Sequence, residues 1–296
     1  MIRYLRFPRQ WRPSPAGNQF PADAFKVLRT GEGMDLGLAG VSVLVGGASS
    51  GLGFACAKAF LAEGALVTIV SRGGEKLASA RESLEREAPG RVHAVASDLS
   101  QPGGATRAYE EAASRFGPPL VVVANGGGPP ALPAANATTA DFSRAHELLL
   151  QPVVELVQAA LPAMKSTGWG RVIAITSVSA RQPEVGLVLS SSLRAAVWGY
   201  LKTLAREEAG SGVTFNSVCP GYTATERLQV LAAHVAQRDG MAVEEVFRRW
   251  VAGTPVGRLG KPEEIAAAVV FLASKPAAFI NGVALAVDGG ASLGLL

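Results

Sequence analysis

The sequence is poor in the residues from which disulfide frameworks and metal sites are built. It has two cysteines, Cys56 and Cys219, and three histidines, His93, His146 and His234, in 296 residues. Both cysteines lie among apolar neighbours and read as buried free thiols. The histidines are scattered without ligand spacing, so no metal is expected. No apolar run approaches the ~20 residues that span a bilayer. The N-terminus carries arginines but no continuous apolar stretch, so it does not read as a secretory signal. By elimination, a cytoplasmic protein with no membrane partner is expected.

Charge is also scarce, at 18% of residues, and the net +4 is local. Residues 1–33 hold Arg3, Arg6, Arg9, Arg12, Lys26 and Arg29 against Asp23 and Glu32, which leaves the remainder neutral with 22 residues of each sign. No basic stripe interleaved with aromatics remains to follow a phosphate backbone, so nucleic acid is not an expected partner. Residues 1–33 read as a basic, flexible arm. The alternative is a natural start at Met34, which leads straight into the first structural unit at 34–296.

What the chain has in quantity is apolar residues, 48%, with Gly 34 and Pro 18 spread between apolar runs. Short β-branched runs alternate with helical patterns. Strands are expected at Val41–Val45, Leu66–Val70, Val92–Ala96, Leu120–Val123, Val172–Thr176, Val213–Ser217 and Val283–Val287. Helices are expected near 51–63, 75–87, 105–115, 139–166, 190–209 and 262–273. This alternation predicts an α/β fold, a doubly wound parallel sheet of the Rossmann type in one domain. The insertion at 221–260 would lie over the carboxyl ends of the strands, where such sheets bind ligands. Its Leu228, Val230, Leu231, Val235, Met241, Val246, Phe247 and Trp250 suit either an apolar substrate lid or core packing.

The first strand runs into Val45-Gly46-Gly47-Ala48-Ser49-Ser50-Gly51-Leu52-Gly53 and then a helix. Glycine lets backbone N–H groups approach an anionic diphosphate. The helix N-terminus adds unpaired donors and a positive dipole end, and Ser49 and Ser50 add hydroxyls. The spacing Gly47-x-x-x-Gly51-x-Gly53 resembles the short-chain dehydrogenase/reductase family, with Gly46 where that family has Thr. Further landmarks agree from about 34 to 296. Asp98-Leu99 resembles the family's adenine-contacting pair. Ala124-Asn125-Gly126-Gly127 resembles its Asn-Asn-Ala-Gly motif. Pro220-Gly221-Tyr222-Thr223-Ala224-Thr225 resembles its Pro-Gly turn, whose Thr223 and Thr225 would meet the nicotinamide carboxamide. At the end of the second strand, Arg72 offers a fork to a 2′-phosphate, and Ser71 replaces the acid that holds an NAD ribose. NADP is therefore the expected cofactor, with NAD the weaker alternative.

The resemblance implies hydride transfer between nicotinamide and a carbonyl or alcohol carbon. The family performs it with a Ser, a Tyr-x-x-x-Lys thirteen residues on, and an Asn on the preceding helix. Ser177 fits at the end of the fifth strand. The Tyr and Lys positions are Ser190 and Arg194, and the Asn position is Leu149. No Tyr-x-x-x-Lys occurs anywhere in the chain. Ser177, Ser190 and Arg194 are thus the candidate catalytic residues, and Arg194 is also a candidate ribose contact. Ser190 has a second reading as a helix N-cap or first-turn hydroxyl. Tyr200 is expected to be packing. Two functions follow: an NADP(H)-dependent oxidoreductase acting on a small-molecule carbonyl or alcohol through an atypical site, or a non-catalytic NADP(H)-binding sensor or subunit. The overall scaffold resembles the 3-oxoacyl-carrier-protein reductases. The resemblance also implies a homo-oligomer, a dimer or tetramer built on the two longest helices.

Overall fold

The structure, a computed structural model, describes residues 34–295. The basic arm of 1–33 lies outside the described residues. Seven parallel strands form one sheet in the order β3-β2-β1-β4-β5-β6-β7. They are β1 Ser42–Gly46, β2 Leu66–Ser71, β3 Val92–Ala96, β4 Val121–Ala124, β5 Gly170–Ile175, β6 Val213–Pro220 and β7 Ala284–Val287. The order reverses between β1 and β4, which makes the crevice at their carboxyl ends the place where a ligand fits.

Helices α1 Gly51–Ala62, α2 Glu75–Glu87 and α3 Gly104–Phe116 complete the first half. Helices α4 Thr139–Leu149, α5 Gln151–Thr167, α6 Val188–Glu207, α7 Glu226–Asp239, α8 Val243–Ala252 and α9 Pro262–Ala273 belong to the second. β1 and β4 are buried along their whole lengths, as continuous apolar runs sandwiched between helical layers must be. α5 and α6 pack on one side of the sheet: Val153, Leu156, Ala160 and Met164 join Val197 and Leu201 in one core. Tyr200 is partly buried against the same core, so it packs as expected.

Most expected elements are present with ends moved by one to three residues. The helix expected at 139–166 is the exception. It is two helices, with Leu150 between them and Pro152 in the first turn of α5. Proline lacks the N–H needed for a continuing ladder and is favoured where a helix begins. Apolar periodicity runs through this joint, so it is invisible to the pattern. By length and composition alone, the stretch Thr139–Thr167 could cross a membrane. The joint divides it, and α5 spends its apolar face on the sheet.

The insertion at 221–260 folds as the α7–α8 pair. Ala232, Ala236 and Val246 form a small core with Val235, Met241, Phe247 and Trp250 against it. The packing reading of its apolar residues describes this small core. The pair packs on itself, and Leu231, Val235, Met241, Val246 and Trp250 also line a cavity. Val230 does neither and is 49% exposed.

Candidate active site

The turn after β1 is shaped by glycines for which no other residue would serve. Gly47 and Gly51 have φ of 58° and 56°, the left-handed region that side chains disfavour. A Cβ on Gly53 would stand 2.4 Å from the Gly47 carbonyl oxygen. That contact presses the start of α1 against the turn. Ser50 is the N-cap of α1, but its hydroxyl caps nothing. The first bond into the helix runs from the Phe54 N–H to the Ser50 carbonyl at 3.3 Å. The N–H groups of Gly51, Leu52 and Gly53 have no acceptor among the described residues. Unpaired amides, the dipole end and the free Ser49 and Ser50 hydroxyls make a cradle that fits a diphosphate.

Asn125, at the end of β4, locks this turn. Its Nδ2 donates to the carbonyls of Gly46 at 3.1 Å and Gly47 at 3.4 Å. Thr225 caps α7 by accepting the Leu228 N–H at 3.2 Å. Its methyl lies 3.6 Å from where a Gly51 Cβ would be, so α7 begins directly opposite the cradle. The Thr223 hydroxyl donates to the Gly221 carbonyl at 3.0 Å, just beyond Pro220 at the end of β6. At the adenine end, Asp98 accepts from the Ser100 N–H and hydroxyl at 3.0 and 2.7 Å. Leu99 packs partly buried against the core. Arg72 is exposed just beyond Ser71, with no partner among the described residues.

The structure brings Ser177 and Ser190 together through a residue that the sequence did not single out. Ser177 follows β5, and its oxygen accepts the Ser179 N–H at 3.1 Å and the Ser179 hydroxyl at 3.0 Å. Ser179 is buried, 1% exposed, and its oxygen lies 3.4 Å from that of Ser190. Having given its own hydrogen to Ser177, Ser179 is the acceptor for Ser190. Ser190 sits in the first turn of α6, but Leu187 is the cap residue. The structural reading of Ser190 as a helix N-cap or first-turn hydroxyl thus narrows to its second form, a first-turn hydroxyl that approaches Ser179. The Ser-Val-Ser repeat at 177–179 was the signal available in the sequence.

Arg194, one turn further along α6, reaches back to the strand ends. Its Nη1 donates to the Ile175 carbonyl at 2.9 Å and its Nη2 to the Gly127 carbonyl at 3.3 Å. Desolvation, with a contribution from the charge of Arg227, pushes its pKa down to about 10. It remains cationic at neutral pH. Arg227, in the first turn of α7, donates to the Pro129 carbonyl at 2.7 Å and packs where a Gly128 Cβ would be, with contacts from 2.8 Å. Two guanidinium groups thus grip the 127–129 loop and face the same cleft. Leu149 is 6% exposed in an apolar cluster with Ala145, Leu189 and Leu193.

Both thiols are buried and free. Burial raises Cys56 to about 12. Cys219 is less apolar than its sequence neighbours suggest, because the Thr176 hydroxyl lies 3.2 Å from its sulfur. Among the described residues no cluster of ligating side chains could hold a metal.

Comparison with known proteins matches this architecture. Residues 47–292 fit the family model described as Enoyl-(Acyl carrier protein) reductase. An uncharacterised oxidoreductase of Mycobacterium tuberculosis is 36% identical over 84% of this chain and 91% of its own length. Among solved structures, L-sorbose reductase from Gluconobacter frateurii, complexed with NADPH and L-sorbose, superposes with a TM-score of 0.83 at 30% identity, covering 88% of this chain and all of that one. A short-chain oxidoreductase from Pseudomonas aeruginosa PAO1, bound to NADPH and described as containing an atypical catalytic center, does so with 0.78 at 30% identity, covering 87% and 99%. A parallel sheet reversing at β1 and β4, a tight glycine turn after the first strand and relatives at this level over nearly their full lengths lead to one assignment: the chain belongs to the short-chain dehydrogenase/reductase family of oxidoreductases.

Proposed function

We propose that this protein is an NADP(H)-dependent oxidoreductase that interconverts a small-molecule carbonyl and its alcohol through a serine–arginine site in place of tyrosine and lysine. The observation that carries the reading is the direction of the hydroxyl chain. Ser177 oxygen already accepts two hydrogen bonds from Ser179. Its own hydrogen is thereby left to donate outward, into the cleft where a substrate oxygen would lie. The chain then runs Ser190 to Ser179 to Ser177 to substrate.

Bound NADPH would supply hydride to the carbonyl carbon. As negative charge grows on the substrate oxygen, Ser177 donates to it and delivers a proton. Ser179 passes its proton to Ser177, and Ser190 passes its own to Ser179. Water restores Ser190, so one proton crosses the chain for each hydride added. Serine is a weaker acid than the phenol it replaces. Arg194, cationic and partly desolvated, and Arg227 beside it offset this by stabilising charge on the oxygen. Gly47, Ser49, Ser50, Gly51, Leu52 and Gly53 would hold the diphosphate. Asp98, Leu99 and Asn125 would flank the adenosine side, and Pro220, Gly221, Thr223 and Thr225 the nicotinamide side. The exposed, unpaired Arg72 supports the preference for a 2′-phosphate.

The test is calorimetric titration with NADPH, followed by a carbonyl panel assayed for NADPH consumption. Binding with turnover that falls about a hundredfold in Ser177→Ala supports the reading. Tight binding with no turnover on any carbonyl selects the non-catalytic module instead. A homo-oligomer in the cytoplasm belongs to the same proposal and is checked by light scattering.

A further inference from the structure

Beside the serine chain is a cavity of about 360 Å³ between the turn that leads into α6 and the α7–α8 pair. Glu184, Leu187, Tyr222, Leu231, Met241 and Trp250 are among its walls. It adjoins the reaction centre along the chain at two points. Leu187 is three residues before Ser190, and Tyr222 immediately precedes Thr223.

One group in this wall has unspent bonding capacity. Glu184 is partly buried, and the Tyr222 hydroxyl donates to its two oxygens at 3.0 and 3.1 Å. A carboxylate can accept about four hydrogen bonds, and no other donor reaches Glu184 among the described residues. Tyr222 is itself fixed by stacking on Trp250, with ring centroids 4.6 Å apart and planes 13° apart. Phe247 braces Trp250 edge-on at 5.6 Å. The carboxylate is therefore held in place by an aromatic stack and presented to a cavity whose wall mixes apolar side chains with charged ones. Desolvation raises its pKa, the expected consequence of a buried acid without a cationic partner.

The surroundings define which donor suits it. Arg238 and Arg249 also line the cavity, and Arg194 and Arg227 face the adjoining cleft. Arg238 is paired with Asp239 and Arg249 with Glu245, so each guanidinium in the wall already has a carboxylate, while no ion pair reaches Glu184 among the described residues. A substrate ammonium would share the cavity with these two guanidinium groups, whereas a neutral hydroxyl adds no charge beside them. A hydroxyl also matches a carboxylate that already has one donor.

We propose that Glu184, oriented by Tyr222 and Trp250, selects carbonyl substrates that carry a neutral hydroxyl group away from the reacting carbon. The inference rests on the reading of this cleft as the carbonyl site. The cavity holds a compact molecule, with Leu231, Leu187 and Met241 covering its carbon skeleton and Glu184 receiving its hydroxyl.

The test separates this selectivity from catalysis. Full-length protein is first saturated with NADP+, whose own titration stands or falls with the proposed function. Ketones are then titrated into this complex, in which both reactants are oxidised and no turnover occurs. The probes are 4-hydroxycyclohexanone, 4-methylcyclohexanone and 4-aminocyclohexanone, which present a neutral donor, an apolar group and a cation on one ring. The hydroxyketone is expected to bind at least about tenfold more tightly than the methyl compound. Glu184→Gln and Tyr222→Phe should each reduce that preference at least threefold while leaving the NADP+ dissociation constant within twofold. Equal binding of hydroxy and methyl compounds, or undetectable binding of all three, overturns the proposal and leaves the cofactor assignment standing. Tightest binding by the amine overturns the selection of a neutral donor. A preference that survives unchanged in folded Glu184→Gln and Tyr222→Phe overturns the role of the pair.

Discussion

Two stretches of the sheet's carboxyl edge work by different means. Where β1 meets α1, the ligand cradle is made of backbone: three glycines, two of them left-handed, and amides without acceptors. Where β5 faces α6, the candidate site is made of side chains: Ser177, Ser179, Ser190 and Arg194. Backbone recognition constrains the chain to residues without a Cβ at Gly47, Gly51 and Gly53. A side-chain site constrains only where a donor or charge must sit, and several residue types can reach that place.

The largest expected effect sharpens the first side. Gly53→Val sets a side chain against the Gly47 carbonyl, 2.4 Å from its Cβ. NADPH binding should fall by more than about a hundredfold in calorimetry. A variant that binds within threefold of the parent would break the claim that the cradle is rigid backbone. On the other side, Ser177→Ala should lower kcat about a hundredfold with the NADPH dissociation constant within twofold.

Arg72→Ala is the one side-chain change expected to act at the cofactor. It should weaken NADPH about thirtyfold and NADH less than threefold, as one charge-assisted fork is lost. Equal losses would remove the 2′-phosphate assignment. Ser179→Ala should reduce kcat about tenfold with KM little changed, and Ser179→Thr should restore most of it. In the parent, rates in mixtures of light and heavy water should curve, showing more than one proton in flight. A straight line would reduce Ser179 to a prop.

The smallest effect concerns stability. The Glu184 carboxyl keeps its proton to a higher pH in the folded chain than in the unfolded one. In the window above the unfolded value the folded state binds more protons, so stability falls as pH rises through the raised folded value. Above that value the whole burden of the buried charge is present. Glu184→Gln should therefore raise Tm by about 1–3 °C at pH 8 and by less at pH 4. A lower Tm at pH 8 would show that the carboxylate serves the fold.

The strand succession, the glycine turn after β1 and the positions of Ser177 after β5 and Arg194 on α6 were legible because each depends on local pattern or spacing. β3, α2 and α9 have the ends expected from their periodicity. The joint at Leu150 was not legible, since apolar positions continue through it and only the missing N–H of Pro152 marks the new helix. Ser179 was overlooked because its importance comes from Ser190, eleven residues away across a turn. Glu184 and Tyr222 are 38 residues apart and meet only when the sheet has closed. Arg227 is one of many arginines until the 127–129 loop packs against it.

The two thiols, finally, provide a reporter for each region. Cys56 lies in α1 behind the cradle, and Cys219 lies in β6 beneath the serine chain, both at most 1% exposed. Burial also holds their protons, so neither reacts while its surroundings stay closed. Alkylation by a small reagent therefore times the opening of each neighbourhood. Mass spectrometry of the two peptides would read the breathing of the two sides separately, in one tube and without an introduced label.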